Sequence, residues 1–330
     1  MLRMTDKLRA IGPGLLMAGL VAMAAQFLSD HYGAPAMLMA ILLGIPFQFL
    51  STEPRTSAGI QFASRMVLRI GVALLGVRVS IDLFANIGPA FAAVIAVSVV
   101  ATIFAGIFSA SVFGRDRAFG FLAGGAVAIC GASAALAIAA FLPKHDKSET
   151  DLTFVVVTVT VASTIAMILY PILATAMGMD VNQAGIFLGG TIHDVAQVVG
   201  AGFSMSDETG DVATLVKLFR VTMLAPVVFI GALFFRSSAQ HGVRPPLLPG
   251  FVLGFFALVL LNSLHDIPPI VGDGLGQISR ACLLTAVAAV GMKTSVQELR
   301  KVGGTSVAMI GALTVFLAAL VAAGIFLFSA

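Results

Sequence analysis

Apolar residues in this chain come in long blocks, with the polar residues gathered between them. The blocks cover roughly 10–28, 35–50, 66–79, 89–113, 119–142, 152–177, 184–203, 211–235, 247–264, 275–292 and 303–329. A surface helix of a soluble protein shows polar positions on every turn. Blocks without them predict helices lying in a bilayer, whose hydrocarbon core takes about 20 apolar residues to span. Several blocks are too short for a full span and predict interrupted or re-entrant helices. The pattern predicts an all-α polytopic membrane protein with about ten or eleven membrane segments, a single integral membrane transporter domain over residues 1–330. The first block follows the basic residues Arg3, Lys7 and Arg9 and is long for a cleaved leader, so it reads as a first membrane helix.

The loops sort by charge. Arg55 and Arg65, Arg115 and Arg117, Arg236 and Arg244, and Lys293, Arg300 and Lys301 fall on one side, which the positive-inside rule makes cytoplasmic. Loops 29–34, 204–210 and 262–274 carry no Lys or Arg and belong outside. Between Arg117 and Ser204 the parity closes in two ways. Segments 119–142 and 184–203 both cross as unwound helices, or both return to their own side as hairpins. The basic loop Pro143–Lys147 favours hairpins slightly.

The chain also repeats itself. At an offset of 215, Ser64 and Arg65 fall on Ser279 and Arg280, Leu68 on Leu283, Val72 on Val287, Gly76 on Gly291, Arg78 on Lys293, Ser80 on Ser295 and Gly88 on Gly303. The run Met167–Pro171 falls on Thr222–Pro226, and Phe121, Leu122 and Gly124 find counterparts in Phe187, Leu188 and Gly190. The copies, about 35–177 and about 184–330 in circularly related order, are separated by an odd number of crossings. They therefore read as an inverted repeat, and an inverted repeat with two interrupted segments is a secondary-transporter pattern.

Composition narrows the function classes. The chain is 59% hydrophobic and 11% charged, against about 25% charged in a soluble domain. Its net charge of +3 sits mostly at segment ends, which argues against nucleic-acid binding. Cys130 and Cys282 both lie in apolar blocks and suggest neither a disulfide nor a metal site; no cofactor is expected. No metalloprotease, P-loop or dinucleotide motif is present, so an enzyme is not expected.

Candidate chemistry gathers in three places. The small residues around Ile129, Cys130, Gly131, Ala132 and Ser133 let a helix unwind, and a half-helix N-terminus there aims free N–H groups at an anion. Close helix packing is the competing explanation. Thr191, His193, Asp194 and Gln197 form a polar group at mid-segment, with His193 and Gln197 on one helical face. Such residues are costly in a membrane and are kept for function, although a His–Asp pair also serves as an interhelical lock. Substrate contacts through Thr191 and Gln197 and proton coupling through His193 and Asp194 are expected. Lys217 and Arg220 share a face, and Arg220 lies too deep in its segment to snorkel, so its charge is expected to meet Asp194 or a bound anion, with Lys217 as a further substrate-binding charge. Arg65 and Arg69 read as interfacial, and Arg78 and Lys293 as helix ends.

Taken together, the runs Ala128–Ala134, Ser163–Pro171, Thr191–Gly202 and Lys217–Pro226 resemble the YeiH-type sulfate exporter family of bacterial inner-membrane proteins. The resemblance covers nearly the whole chain. It implies a multi-pass inner-membrane secondary transporter that exports a small inorganic or sulfur-containing anion of the sulfate or sulfite class; a proton or Na⁺ as coupling ion is an expectation from the residues, not from the resemblance. Its partners would be the anion and the lipid bilayer. The competing readings are a cation/proton antiporter that binds its cation at Asp194, a channel, and an intramembrane serine hydrolase using Ser133 and His193. The last resembles a rhomboid-type protease only faintly, because Ala134 stands where that motif ends in Gly.

Overall fold

The computed structural model describes residues 4–77, 79, 81–143, 148–234, 250–264, 268–294 and 304–329. Arg3, Arg78, Ser80, residues 144–147, Arg236, Arg244, Ser295, Arg300, Lys301 and Gly303, which the charge and repeat patterns use, lie outside them. The helices are α1 (Met4–Tyr32), α2 (Ala36–Gly44), α3 (Ser57–Phe62), α4 (Leu68–Leu75), α5 (Ile81–Ser109), α6 (Arg117–Ala128), α7 (Ala132–Ala139) and α8 (Ser148–Ala176). They continue as α9 (Val181–Thr191), α10 (Val195–Met205), α11 (Asp207–Thr222), α12 (Leu224–Phe234), α13 (Gly250–Leu264), α14 (Pro269–Lys293) and α15 (Thr305–Ser329). Seven stretches are long and apolar enough to cross a membrane, and 36–51, 117–128, 195–205 and 250–264 are shorter apolar helices. The protein is an all-α, multi-pass membrane protein, and each of the eleven apolar blocks falls on a helix, with α3 lying between the second and third blocks. The eighth block contains a turn at Met223, three residues before Pro226, whose missing N–H interrupts the helical ladder.

The chain forms two compact units. The first comprises Met1–Phe84, Val199–Asp211 and Gly250–Gln297. Within it, α14 packs against α1, α2 and α4 through backbones brought close by glycine. A Cβ on Gly291 would run into the backbone of Ile41 and Gly44 in α2, and one on Gly76 into the Phe255 carbonyl of α13. Gly76 and Gly291 are repeat partners at the offset of 215, and they make the same kind of contact with the helices that precede each copy. Ser279 Oγ donates to the Gly71 carbonyl at 2.7 Å and binds α14 to α4. Arg65 and Arg69 are exposed, with Arg69 5.9 Å from the Phe251 ring, as an interfacial location predicts.

The second unit comprises Ala85–Val198, Val212–Pro249 and Glu298–Ala330, and it holds both interruptions. The first is a hairpin. In a straight helix Gly125 and Ile138 would stand about 20 Å apart, yet Ile138 Cδ1 occupies the space a Cβ on Gly125 would need. The Phe121 and Phe141 rings meet edge-on, 6.0 Å between centroids. Asp116 caps α6 by accepting from the Phe119 N–H at 2.8 Å, and Arg115 pairs with Asp151 of α8 while lying over the Phe119 ring. These contacts fix the open end of the hairpin. Its first arm packs against α5, where Gly120 and Gly124 meet Gly106 and Ile103 backbone to backbone, and its second packs against α8. In the second interrupted segment α9 starts on an Asp180–Gln183 capping box, and Gly190, the counterpart of Gly124, takes the side chain of Val321 from α15.

The hairpin makes a prediction about sidedness. In a background without Cys130 and Cys282, Asp116→Cys and Ala140→Cys should both react with an impermeant maleimide applied from the same face of the membrane. Labelling from opposite faces is the outcome of a crossing segment.

Candidate functional site

The two interruptions meet. Ile129 leaves the helical region at φ −113, ψ −84, and Gly131 turns the chain at φ 62, ψ −125, a conformation that suits glycine alone. A Cβ on Gly131 would press on Val159 Cγ1 at 3.3 Å, and its next neighbour would be His193 Cβ at 3.6 Å. The second break is supported by Ser163 of α8, whose Oγ accepts the backbone N–H groups of His193 and Asp194 at 3.2 and 3.1 Å. One and a half turns of α8 thus carry both breaks: Val159 under Gly131, Ser163 under His193 and Asp194, and Thr160 and Thr164 under Gln197.

A broken helix leaves carbonyls unpaired at the end of its first arm. Here α11 supplies the donors. Arg220 is fully buried and spends all five N–H groups on backbone. Nε donates to Ala128 O at 3.0 Å, Nη2 to Val127 O at 3.0 Å and Ala128 O at 2.7 Å, and Nη1 to Gly189 O at 3.0 Å and Ile192 O at 3.1 Å. Lys217, also fully buried, donates from Nζ to Ile129 O at 2.7 Å and Ile192 O at 2.9 Å. Each cation therefore sits on the negative ends of both α6 and α9, where helix dipoles favour it. The sequence suggested Asp194 or a bound anion as the partner of Arg220. Its hydrogen bonds go to neither, so Arg220 can act on a ligand only through its field.

His193 is buried, with Nδ1 3.0 Å from Val127 O and Nε2 3.0 Å from Thr314 Oγ1 of α15. A carbonyl can only accept, so Nδ1 carries a proton. Thr314 Oγ1 also lies 2.9 Å from Ile310 O. Its hydroxyl donates to His193 when the imidazole is neutral, and to Ile310 when Nε2 is protonated. Both charge states are satisfied without moving a heavy atom.

The positive ends of the resumed helices differ. Asp194, half-buried, caps α10 by accepting the Ala196 N–H at Oδ1, 2.9 Å away. The N-cap residue of α7 is Gly131, which has no side chain to offer, and Ser133 in its first turn is exposed. The other residues expected at the site are placed as follows. Cys130 is buried in the first break and Ala132 opens α7. Thr191 is buried and directs its hydroxyl to Phe187 O of its own helix at 2.5 Å, away from the break. Ser163, Thr164 and Thr314 were not singled out as site residues. Ser163 does open one of the four family-like runs, whereas Thr314 sits in an apolar block with nothing to mark it.

The bridging role of Arg220 predicts a large loss of stability on its removal, since each carbonyl left buried without a donor costs about 1–3 kcal/mol. Arg220→Met should unfold in detergent at least ~3 kcal/mol more easily than the parent. Arg220→Lys should recover less than half of that, because a single ammonium cannot span both helix ends. Full recovery by Lys would contradict the bridge.

A family model described as conserved hypothetical protein 698 matches residues 13–310. The UPF0324 membrane protein TauZ of Paracoccus pantotrophus is 56% identical over 320 residues, covering 96% of this chain and 95% of that one. A UPF0324 membrane protein of Rhizobium meliloti is 54% identical over 323 residues (97% and 94%), and one of Chlorobaculum tepidum 52% over 313 (94% and 87%). No solved structure matches. With nearly its whole length matched, the chain belongs to the UPF0324 family of membrane proteins.

Proposed function

We propose that the protein is a secondary active transporter of the inner membrane that carries a small inorganic or sulfur-containing anion, and that the cargo binds where the two helix breaks meet. The observation that carries this reading is the start of α7, whose N-cap Gly131 brings no side chain, beside the exposed Ser133, at a junction where Lys217 and Arg220 lie buried. The C-terminal ends of α6 and α9 are neutralised by Arg220 and Lys217, and the N-terminal end of α10 by Asp194. The N–H groups of Ala132 and Ser133 remain to meet an anion. Lys217 offers one further N–H, having spent two of its three on carbonyls. Loop charge supports inner-membrane placement. With the first interruption returning to its own side, loop parity has the second return as well, from the opposite face, which suits alternating access.

Two competing chemistries fit the geometry less well. A cation at Asp194 would share the junction with Lys217 and Arg220, and Oδ1 of Asp194 already caps a helix. A Ser133 nucleophile would find no base in His193, both of whose ring nitrogens face Val127 and Thr314.

The test is flux of radiolabelled sulfite and sulfate in liposomes containing the purified protein. Anion flux above the protein-free rate is expected, and Lys217→Gln should slow it at least ~10-fold, equivalent to about 1.4 kcal/mol in the barrier. Flux of Na⁺ or K⁺ with no anion requirement would overturn the reading in favour of the antiporter.

A further inference from the structure

Arg65 and Arg69 lie deep in a membrane helix and outside its packed face. A single wide π turn, Ala63–Val67, joins α3 to α4, and the continuous stretch Ser57–Leu75 is long and apolar enough to cross a membrane. π turns of this kind recur at functional sites. The exposed face of the stretch carries Gln61, Arg65 and Arg69, which stand about 6, 12 and 18 Å from its Ser57 end in a span of about 28 Å. The exposure of the two arginines suits the interfacial location read from the sequence, but their depth does not, since snorkelling serves residues near helix ends. Neither arginine pairs with a carboxylate among the described residues.

The second copy of the repeat shows that this charge is not part of the shared scaffold. Arg280, the counterpart of Arg65, is also exposed near the middle of its span, but Asp207 meets it at 3.3 Å. Leu284, which is buried, stands where the first copy has Arg69. The serines that precede the two counterpart arginines, Ser64 and Ser279, are buried in both copies. Packing is therefore common to the copies, and the unpaired charge belongs to the first alone.

Charged side chains within a membrane span face the bundle interior or a water-filled cavity, and these two are exposed. A second copy seated on this face by two-fold symmetry would set arginine against arginine with no carboxylate between them. Water remains. In water the two guanidiniums, four residues apart on one face, stand close enough to share a ligand. Each offers N–H donors in a fork that fits an oxyanion, and the Phe251 ring lies 5.9 Å from Arg69. Loop charge puts the Ser57 end inside. The line of polar positions stops at Ala73, which is half-buried and lies against Gly254 of α13.

We infer that the face of α3 and α4 bearing Gln61, Arg65 and Arg69 is wetted from the cytoplasmic side, and that the two arginines form a collecting site there for small hydrated oxyanions. The inference rests on the anion-transport reading and adds to it a site that gathers the cargo before transport.

The experiment uses inside-out membrane vesicles holding the full chain without Cys130 and Cys282, with a single cysteine introduced as Met66→Cys or Ile70→Cys. Both positions are exposed and adjoin the arginines. The probes are two impermeant methanethiosulfonates, one bearing a sulfonate and the other a trimethylammonium group. Both cysteines should be modified from the inner face, and the anionic probe should be favoured at least ~10-fold over its ratio on a free thiol, because a charged cleft concentrates the opposite ion. Sulfate should slow the reaction. Arg65→Gln combined with Arg69→Gln should abolish the preference and leave both cysteines reactive. No reaction from the inner face, the outcome for a lipid-facing helix, would overturn the wetted face. Oxidative cross-linking of Ile70→Cys between copies would overturn it in favour of a dimer interface. Reaction without a charge preference, or without slowing by sulfate, would overturn the oxyanion site. Labelled sulfite flux in liposomes keeps the two readings apart: a charge preference with no flux would overturn transport and leave the oxyanion site standing.

Discussion

The structure depends on one guanidinium. Arg220 reaches from α11 to the C-terminal ends of two different broken helices, and every N–H it has ends on a backbone carbonyl there. A helix interrupted inside a membrane exposes peptide groups that lipid cannot satisfy, each costing several kcal/mol. Irregular backbone survives at that depth only where protein or trapped polar groups complete it. Arg220 and Lys217 complete both breaks at once, so the two tips are held against each other as well as individually. Gly131 then lets them touch, and Ser163 fixes the amides on the far side of the second break.

This arrangement separates two roles that membrane cations often combine. Arg220 is fully spent on structure, and Lys217 nearly so, which on the proposed reading leaves an anion to be held mostly by helix N-terminal amides. The asymmetry between the resumed helices follows from the sequence: the residue capping α10 is Asp194, a carboxylate, and the one before α7 is Gly131, which offers nothing. On the proposed reading the first end is closed to an anion and the second is the one that takes it. His193 adds a group whose hydrogen bonds are met in either protonation state, through a hydroxyl with two alternative acceptors.

Much of the fold was legible in the sequence, because hydropathy blocks report burial in lipid directly. The eleven blocks fall on helices, and the 215-residue offset pairs Gly76 with Gly291, which make equivalent close backbone contacts. The breaks were legible too, from small residues at Gly131 and a polar group at His193. Whether the first broken segment crosses or returns was not, since apolar content along a segment has no sign of direction; the answer lies in the packing of Ile138 on Gly125. The partners of Arg220 were equally hidden. Depth marked it as important, but backbone carbonyls have no sequence signature, so the eye goes to the nearest carboxylate. Thr314 shows the same limit from the other side, a hydroxyl that helix hydrogen bonding makes unremarkable until His193 is placed beside it.

The central claim is that an anion binds at the meeting of the two breaks, and the most direct measurement is anomalous X-ray scattering from crystals soaked in selenite, an oxyanion of the sulfite type. The account predicts a selenium peak with oxygens about 3 Å from the Ala132 and Ser133 amides. Selenium seated elsewhere in the protein, with that junction empty at saturating selenite, would contradict it.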